Sequence, residues 1–253
     1  LKAGAEVALY DFSAPRLFVD SDLAAGAEVG LDRAQANYLL NVLRLPNGGS
    51  VLVFNGRDGE WRAEIVGTGR KSAALIPREQ TRPQPAAPDL DYLFAPLKHA
   101  RLDYMVQKAV EMGAGRLGPV RTRRTVATRV NLDRMRANAI EAAEQCGILA
   151  VPEILPDEDL APALARLEPE RILVFCDEDA PLANPFEALA EAGGGLPCAL
   201  LIGPEGGFAP EERQVLLARP NVVRLSLGPR ILRADTAAVA ALAVIQAAIG
   251  DWR

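Results

Sequence analysis

The sequence is short of the residues that build metal centres and disulfide frameworks. It has one histidine, His99, and three cysteines, Cys146, Cys176 and Cys198, at long spacings. That inventory excludes a credible zinc site or disulfide scaffold and fits a reducing compartment. Aromatic residues make up only 5% of the chain, which favours closely packed α/β layers over an aromatic-rich sandwich. No apolar run approaches the roughly 18 residues that a membrane helix needs. Residues 1–20 carry charges and a proline where a signal peptide has its apolar core. We therefore expect a soluble, cytoplasmic protein with no metal and no membrane partner.

What is present is a 253-residue chain, 49% hydrophobic and rich in Ala and Leu, enough for one large domain or a small and a medium one. The net charge of -5 hides a strong segregation. Residues 1–75 carry 8 basic and 9 acidic residues, residues 76–150 carry 12 and 8, and residues 151–253 carry 8 and 16. Between Arg116 and Arg136 there are seven arginines and one acid, Asp133. A basic stretch within an acidic protein is the footprint of local phosphate contact, or else an ordinary solvated helix face.

The chain changes character along its length. In the first part, Val51-Leu52-Val53-Phe54, the turn Asn55-Gly56, Gly59 and the alternating run from Trp61 to Val66 read as a hairpin. Asp32 to Leu45 reads as a helix stopped by Pro46. Together they predict a small barrel over residues 1–76. A proline-rich linker follows at 77–90. From 91 to 253 apolar strands alternate with helices: strands near 91–95, 117–120, 172–176, 198–202 and 222–225, and helices near 102–112, 133–147, 185–192, 210–218 and 235–249. That pattern predicts a parallel sheet covered on both faces.

Three stretches stand out as carriers of chemistry. Ile202-Gly203-Pro204-Glu205-Gly206-Gly207-Phe208 follows a buried-type strand, where open α/β sheets collect ligands. It lacks both the dinucleotide and the phosphate-loop glycine spacing. Leu225 to Ala237 ends a strand in a Gly-Pro turn and crowds Arg230, Arg233 and Asp235 before the last helix; it would lie near the first stretch if the strands are neighbours. Glu141, Glu144 and Gln145 share one helix face, able to hold an arginine or a subunit contact or simply to face water. Cys146 is expected in the core, and His99 reads equally as a surface residue near phosphate or a base.

Taken with LKHARLDYMVQKAVEMG (97–113), PRLFV (15–19) and NYLLNVLRL (37–45), these motifs closely resemble the small-subunit ribosomal RNA uracil-N3 methyltransferases of the SPOUT superfamily. The likeness runs from Pro15 to Ile249. It implies a PUA-like N-terminal barrel and a C-terminal SPOUT-type parallel sheet with a deep trefoil knot, assembled as a homodimer. The implied cofactor is S-adenosylmethionine, held by Leu201, Gly203, Glu205, Gly206, Gly207, Leu225, Leu227, Gly228, Ile231 and Leu232. The implied substrate is a uridine of 16S rRNA in the small ribosomal subunit. Two positions depart from the family: Asn37 where members often have His, and Asp235 where they usually have Glu.

Methylating uracil N3 requires loss of a weakly acidic proton as the nitrogen attacks, so alignment and stabilisation of the developing negative charge are the demands on the enzyme. Arg124 or Arg233 is expected to face the uracil oxygen, with Glu205 or Asp235 orienting that arginine or taking the proton. Arg16, Arg44, Arg116, Arg121, Arg123 and Arg124 are the expected phosphate contacts. Two alternatives remain at this level: a ribose 2′-O-methyltransferase of the same fold, and a non-catalytic RNA-binding protein, against which the three glycines speak. An oxidoreductase or hydrolase would need the missing phosphate-loop spacing.

Overall fold

The computed structural model describes residues 11, 13–69, 72–126, 129–181, 184–192 and 197–252; residues 1–10, included in the expected barrel, lie outside them. The chain divides into two compact units, one of residues 1–86 with 143–150, the other of residues 87–142 with 151–253. No helix among the described residues is long and apolar enough to cross a membrane.

The first unit is a five-stranded sheet of β1 (Arg16–Phe18), β2 (Val29–Gly30), β3 (Ser50–Phe54), β4 (Glu60–Gly69) and β5 (Ser72–Arg82), ordered β1-β3-β4-β5-β2. The β3–β4 hairpin forms where the Asn-Gly signal predicts it. The Asn55 side chain accepts from the amides of Arg57 and Asp58, closing the turn. Three register shifts along β4–β5 increase the local twist and curl the sheet around Leu39, Val51, Val53, Ile65 and Leu75.

The predicted 32–45 helix divides into two pieces. Helix α1 (Arg33–Asn37) is opened by a capping box between Asp32 and Gln35. A π-helical turn then spans Tyr38–Val42, with Leu43 N–H bonded to the Tyr38 carbonyl. The wider turn keeps Leu39 in the core with Tyr38, Leu40 and Leu43 packed against it. Arg44 ends it with a φ of 55°, rare outside glycine.

In the second unit, β6 (Leu90–Phe94), β7 (Arg116–Arg121), β8 (Glu153–Ile154), β10 (Ile172–Cys176), β11 (Cys198–Ile202) and β12 (Val222–Leu225) form a sheet ordered β12-β10-β11-β6-β7-β8, with β9 (Glu158–Asp159) pairing β7. All these pairings are parallel. Strands β6 and β11 are buried along their whole length; the continuous apolar run of β11 predicts this, whereas β6 also buries Asp91, paired with Arg116. The helices are α2 (His99–Glu111), α3 (Leu132–Cys146), α4 (Leu160–Arg166), α5 (Pro185–Glu191), α6 (Pro210–Leu217) and α7 (Ala234–Ala248). The short β8, β9 and α4 were not anticipated; each is too brief to show a period, and α4 carries Pro162 in its first turn. The alanines of α7 let it lie close on α2, and its Gln246 caps that helix by donating to the Met112 carbonyl at 2.7 Å.

Two sequence expectations are corrected here. Cys146 is exposed at the last residue of α3, because that helix face turns outward where the helix ends. Arg16 is only 7% exposed: with Arg82 it clamps the buried Glu60 at 2.7 and 2.6 Å. A side chain so enclosed reaches no phosphate. Burial works against the Glu60 carboxylate, but hydrogen bonds from Arg82, Arg16 and Thr81 outweigh it and hold its pKa below the usual range. Of the acidic helix face, Glu144 takes the Phe18 amide at 2.8 Å.

Candidate active site

The sheet order brings three loops together. Strand β10 lies between β12 and β11, so the two motif strands are not neighbours; the carboxyl end of β10 separates them and contributes its own loop, 177–180. A cavity of about 440 Å³ opens among the three ends, within the roughly 300–1,000 Å³ usual for small-molecule sites.

Its glycine loop is sterically specified. A Cβ on Gly203 would stand 2.9 Å from the Phe208 ring, which packs edge-on against Phe175 at 6.0 Å and would have to shift to admit it. Gly207 has a φ of 69°, and a Cβ there would meet the Glu178 carboxylate at 2.6 Å. Past the loop, Pro210 opens α6, and Glu212 accepts the Ala209 amide at 2.9 Å.

Of the residues expected to hold a cofactor, Gly203, Glu205 and Gly207 line the cavity from the β11 side. Leu225, Leu227, Gly228, Ile231 and Leu232 line it from the β12 side. Leu201 and Gly206 do not. Leu201 is fully buried in the core beneath the sheet end, since alternate strand residues face opposite sides. Gly206 instead turns its carbonyl to Arg124, which donates at 2.6 Å.

The sequence reading missed the β10 end, where Asp177 and Glu178 also line the cavity. The signal was available: a strongly apolar strand followed at once by a polar run, as in β11. Asp177 is 7% exposed and receives Arg213 at 3.0 Å and Arg224 at 2.7 Å. Burial pushes its carboxyl up, but the two guanidiniums prevail and its pKa lies below the ordinary value. Burial raises the Cys176 thiol to about 12, so it stays protonated and is no nucleophile.

Arg101, on the first turn of α2, was likewise not singled out. Its guanidinium lies 3.7 Å from Glu205 and 4.0 Å from Asp235. One cation thus ties the glycine loop to the start of α7. Among the expected catalytic residues, Arg124, Glu205 and Asp235 therefore belong to one connected group, while Arg233 is exposed at the N-cap of α7. His99 begins α2, and its side chain lies outside the described residues. Among the described residues no cluster of His, Cys, Asp or Glu could hold a metal ion.

The arginine run is less free than its sequence suggests. Arg116 forks onto the buried Asp91 at 2.5 and 2.8 Å, an acid that Arg171 also approaches at 3.6 Å, so as it stands its guanidinium is committed to that carboxylate and turning it to phosphate would cost the buried acid its direct partner. Arg121 forks onto Asp157 and Arg134 onto Asp103. Arg123 pairs with Glu211 at 3.1 Å in an exposed contact, a kind of pair weak enough to be exchanged for phosphate. Arg44 and Arg124 are exposed.

Residues 84–246 match the RNA methyltransferase domain family and residues 31–77 the RNA methyltransferase PUA domain family. The ribosomal RNA small subunit methyltransferase E of Synechocystis is 30% identical, over 92% of this chain and 77% of that protein. The protein of the same name from Rickettsia conorii is 28% identical, over 91% and 94%. The crystal structure of the Neisseria gonorrhoeae ribosomal RNA small subunit methyltransferase E bound to S-adenosyl methionine superposes with a TM-score of 0.81 at 27% identity, covering 95% of this chain and all of that one. A Legionella pneumophila methyltransferase in complex with bound SAM gives 0.81 at 26% identity, over 93% and 98%. With a parallel sheet whose motif loops close on one cavity, and with the family match covering well over half its length, the chain belongs to the RNA methyltransferase family.

Proposed function

We propose that the protein transfers a methyl group from S-adenosylmethionine to N3 of a uridine in the 16S rRNA of the small ribosomal subunit. The observation that carries this is the convergence of the β10, β11 and β12 loops on a cavity of cofactor size, in a chain whose relatives are named as small-subunit rRNA methyltransferases. The residues fit the cofactor. Backbone at Gly203, Gly207 and Gly228 supplies close-approach surface, with open space over Gly228, and Leu225 and Leu227 supply apolar wall. The cofactor, when bound, supplies a methyl group made electrophilic by its sulfonium.

The protein's own residues align the uracil and manage its proton. Arg124, held by the Gly206 carbonyl, or Arg233 faces the uracil oxygen that gains negative charge as N3–H is lost. Glu205 or Asp235 orients that arginine or accepts the proton, and Arg101 keeps both carboxylates in register. Arg44, Arg121, Arg123 and Arg124 contact RNA phosphates, with the first unit serving as the PUA-like RNA-binding part. The enzyme acts in the cytoplasm as a homodimer, and the segment bearing the β11 and β12 loops forms the knotted part of a SPOUT fold.

The test is methyl transfer from labelled S-adenosylmethionine to small ribosomal subunits lacking their native modifications, with mass spectrometry of the nucleosides. N3-methyluridine at one site is the expected product. A ribose-methylated nucleoside would overturn the atom specificity, and absence of transfer by a protein that binds no cofactor would overturn the assignment as a whole.

A further inference from the structure

We infer that Glu178 is the specificity group for the ribose of the cofactor, its carboxylate accepting from the 2′- and 3′-hydroxyls; this rests on the reading of the cavity as the S-adenosylmethionine site.

Four acids line the cavity: Asp177, Glu178, Asp179 and Glu205. Three are engaged. Asp177 holds Arg213 and Arg224, Asp179 lies 3.8 Å from Arg213, and Glu205 lies 3.7 Å from Arg101. Glu178 is the exception: among the described residues no hydrogen bond or ion pair reaches its carboxylate. Its side chain is exposed but leans on the glycine loop. Its oxygens stand 2.6 and 3.6 Å from where a Cβ of Gly207 would be, so the carboxylate is seated over that glycine, between the β10 and β11 loops. Gly207 itself is fixed by its amide, which donates to the Pro204 carbonyl at 2.9 Å.

An ionised carboxylate only accepts, and its two oxygens suit two adjacent donors. The facing wall from Leu225 to Leu232 is largely backbone and aliphatic, with Ser226 and Arg230 among its polar groups, and it carries no carboxylate. A vicinal diol is the part of a nucleoside that presents two neighbouring O–H donors, and Glu178 is the acceptor left over to meet them. The same group excludes a deoxynucleoside, because desolvating the carboxylate without a partner is costly. A glycine at 207 is then required twice, for its backbone angle and because any side chain would displace the carboxylate.

The experiment is calorimetric binding of S-adenosylhomocysteine, its 2′-deoxy counterpart and 5′-methylthioadenosine to the full-length protein and to Glu178→Gln, with no RNA and no turnover involved. We expect the wild type to bind the 2′-deoxy ligand roughly ten- to a hundred-fold more weakly, the range of one charge-assisted hydrogen bond. Glu178→Gln should lose a similar factor for both ribose ligands and no longer distinguish the deoxy compound. Affinity of Glu178→Gln within about threefold of wild type overturns the inference. So does a loss seen with S-adenosylhomocysteine but absent with methylthioadenosine, since the carboxylate would then serve the amino-acid tail. Failure of the wild type to bind any of the three removes the cofactor reading itself, a result distinguishable from either of these.

Discussion

Removing the Asp177 carboxylate should loosen the β10 and β12 ends of the sheet far more than a surface ion pair would. Its side chain is 4% exposed, whereas Arg213 and Arg224 are 29% and 28% exposed. Each charge-assisted hydrogen bond is worth about 1.5–3 kcal/mol when well formed. Freed guanidiniums this close to water recover part of their hydration, so we expect about 2–4 kcal/mol for Asp177→Ala and about half that for Asp177→Asn, whose amide oxygen still accepts. The chain has two units, so a single unfolding transition is the wrong observable. Native-state amide exchange at Leu173–Cys176 and Val223–Leu225 reads the opening free energy locally. The pH dependence follows from the lowered Asp177 pKa. A carboxyl with a depressed folded pKa contributes fully above its unfolded value of about 3.9 and loses that contribution as pH falls through the folded one. Wild type and Asp177→Asn should therefore differ near neutrality and begin to converge only as pH falls below about 3.9, the difference vanishing once the pH is below the lowered folded pKa. Exchange rates unchanged within the equivalent of about 0.5 kcal/mol at pH 7 would refute the reasoning.

Three further outcomes are expected. Arg101→Gln should cost less than about 1 kcal/mol of stability, as exposed pairs do, yet lower methyl transfer roughly ten-fold or more through lost registration of Glu205 and Asp235; unchanged turnover would remove Arg101 from the site. Gly203→Ala should destabilise the second unit by about 1–3 kcal/mol through overpacking on Phe208 and weaken S-adenosylhomocysteine binding, which thermal shift with and without ligand would resolve. Arg124→Ala should reduce the slope of log affinity against log salt for rRNA fragments by about 0.7–0.9, one phosphate contact's share; an unaltered slope would show that this arginine stays on the Gly206 carbonyl.

Much of the fold was legible because it is written in local pattern. The runs at 172–176 and 198–202 are apolar at every position, the composition that a strand covered on both faces favours. The Asn55–Gly59 turn, the Asp32 cap and the Pro210 helix start each depend on residues within a few positions of one another. The loops at 202–208 and 225–237 could be assigned to a site because strand ends in open parallel sheets collect ligands. What escaped was short or conditional. Strands β8 and β9 are two residues each, and the π-helical turn at Tyr38–Val42 has the same apolar spacing as the α-helix it interrupts.

The charged groups mark the boundary between the two kinds of information. The sequence by itself determined that the chain has a β-rich first part, a parallel α/β second part and two glycine-bearing loops after buried strands. It counted seven arginines between Arg116 and Arg136 but could not say which of them are spent. Arg116 meets Asp91 across 25 residues of chain, Arg16 meets Glu60 across 44, and Arg124 meets the Gly206 carbonyl across 82. Tertiary structure alone decided these pairings, and with them which cations stay available to phosphate. The insertion of β10 between the two motif strands, which brings Glu178 over Gly207, was decided in the same way. The physical reason is that burial and pairing depend on distance in space, which strand order sets and local sequence does not.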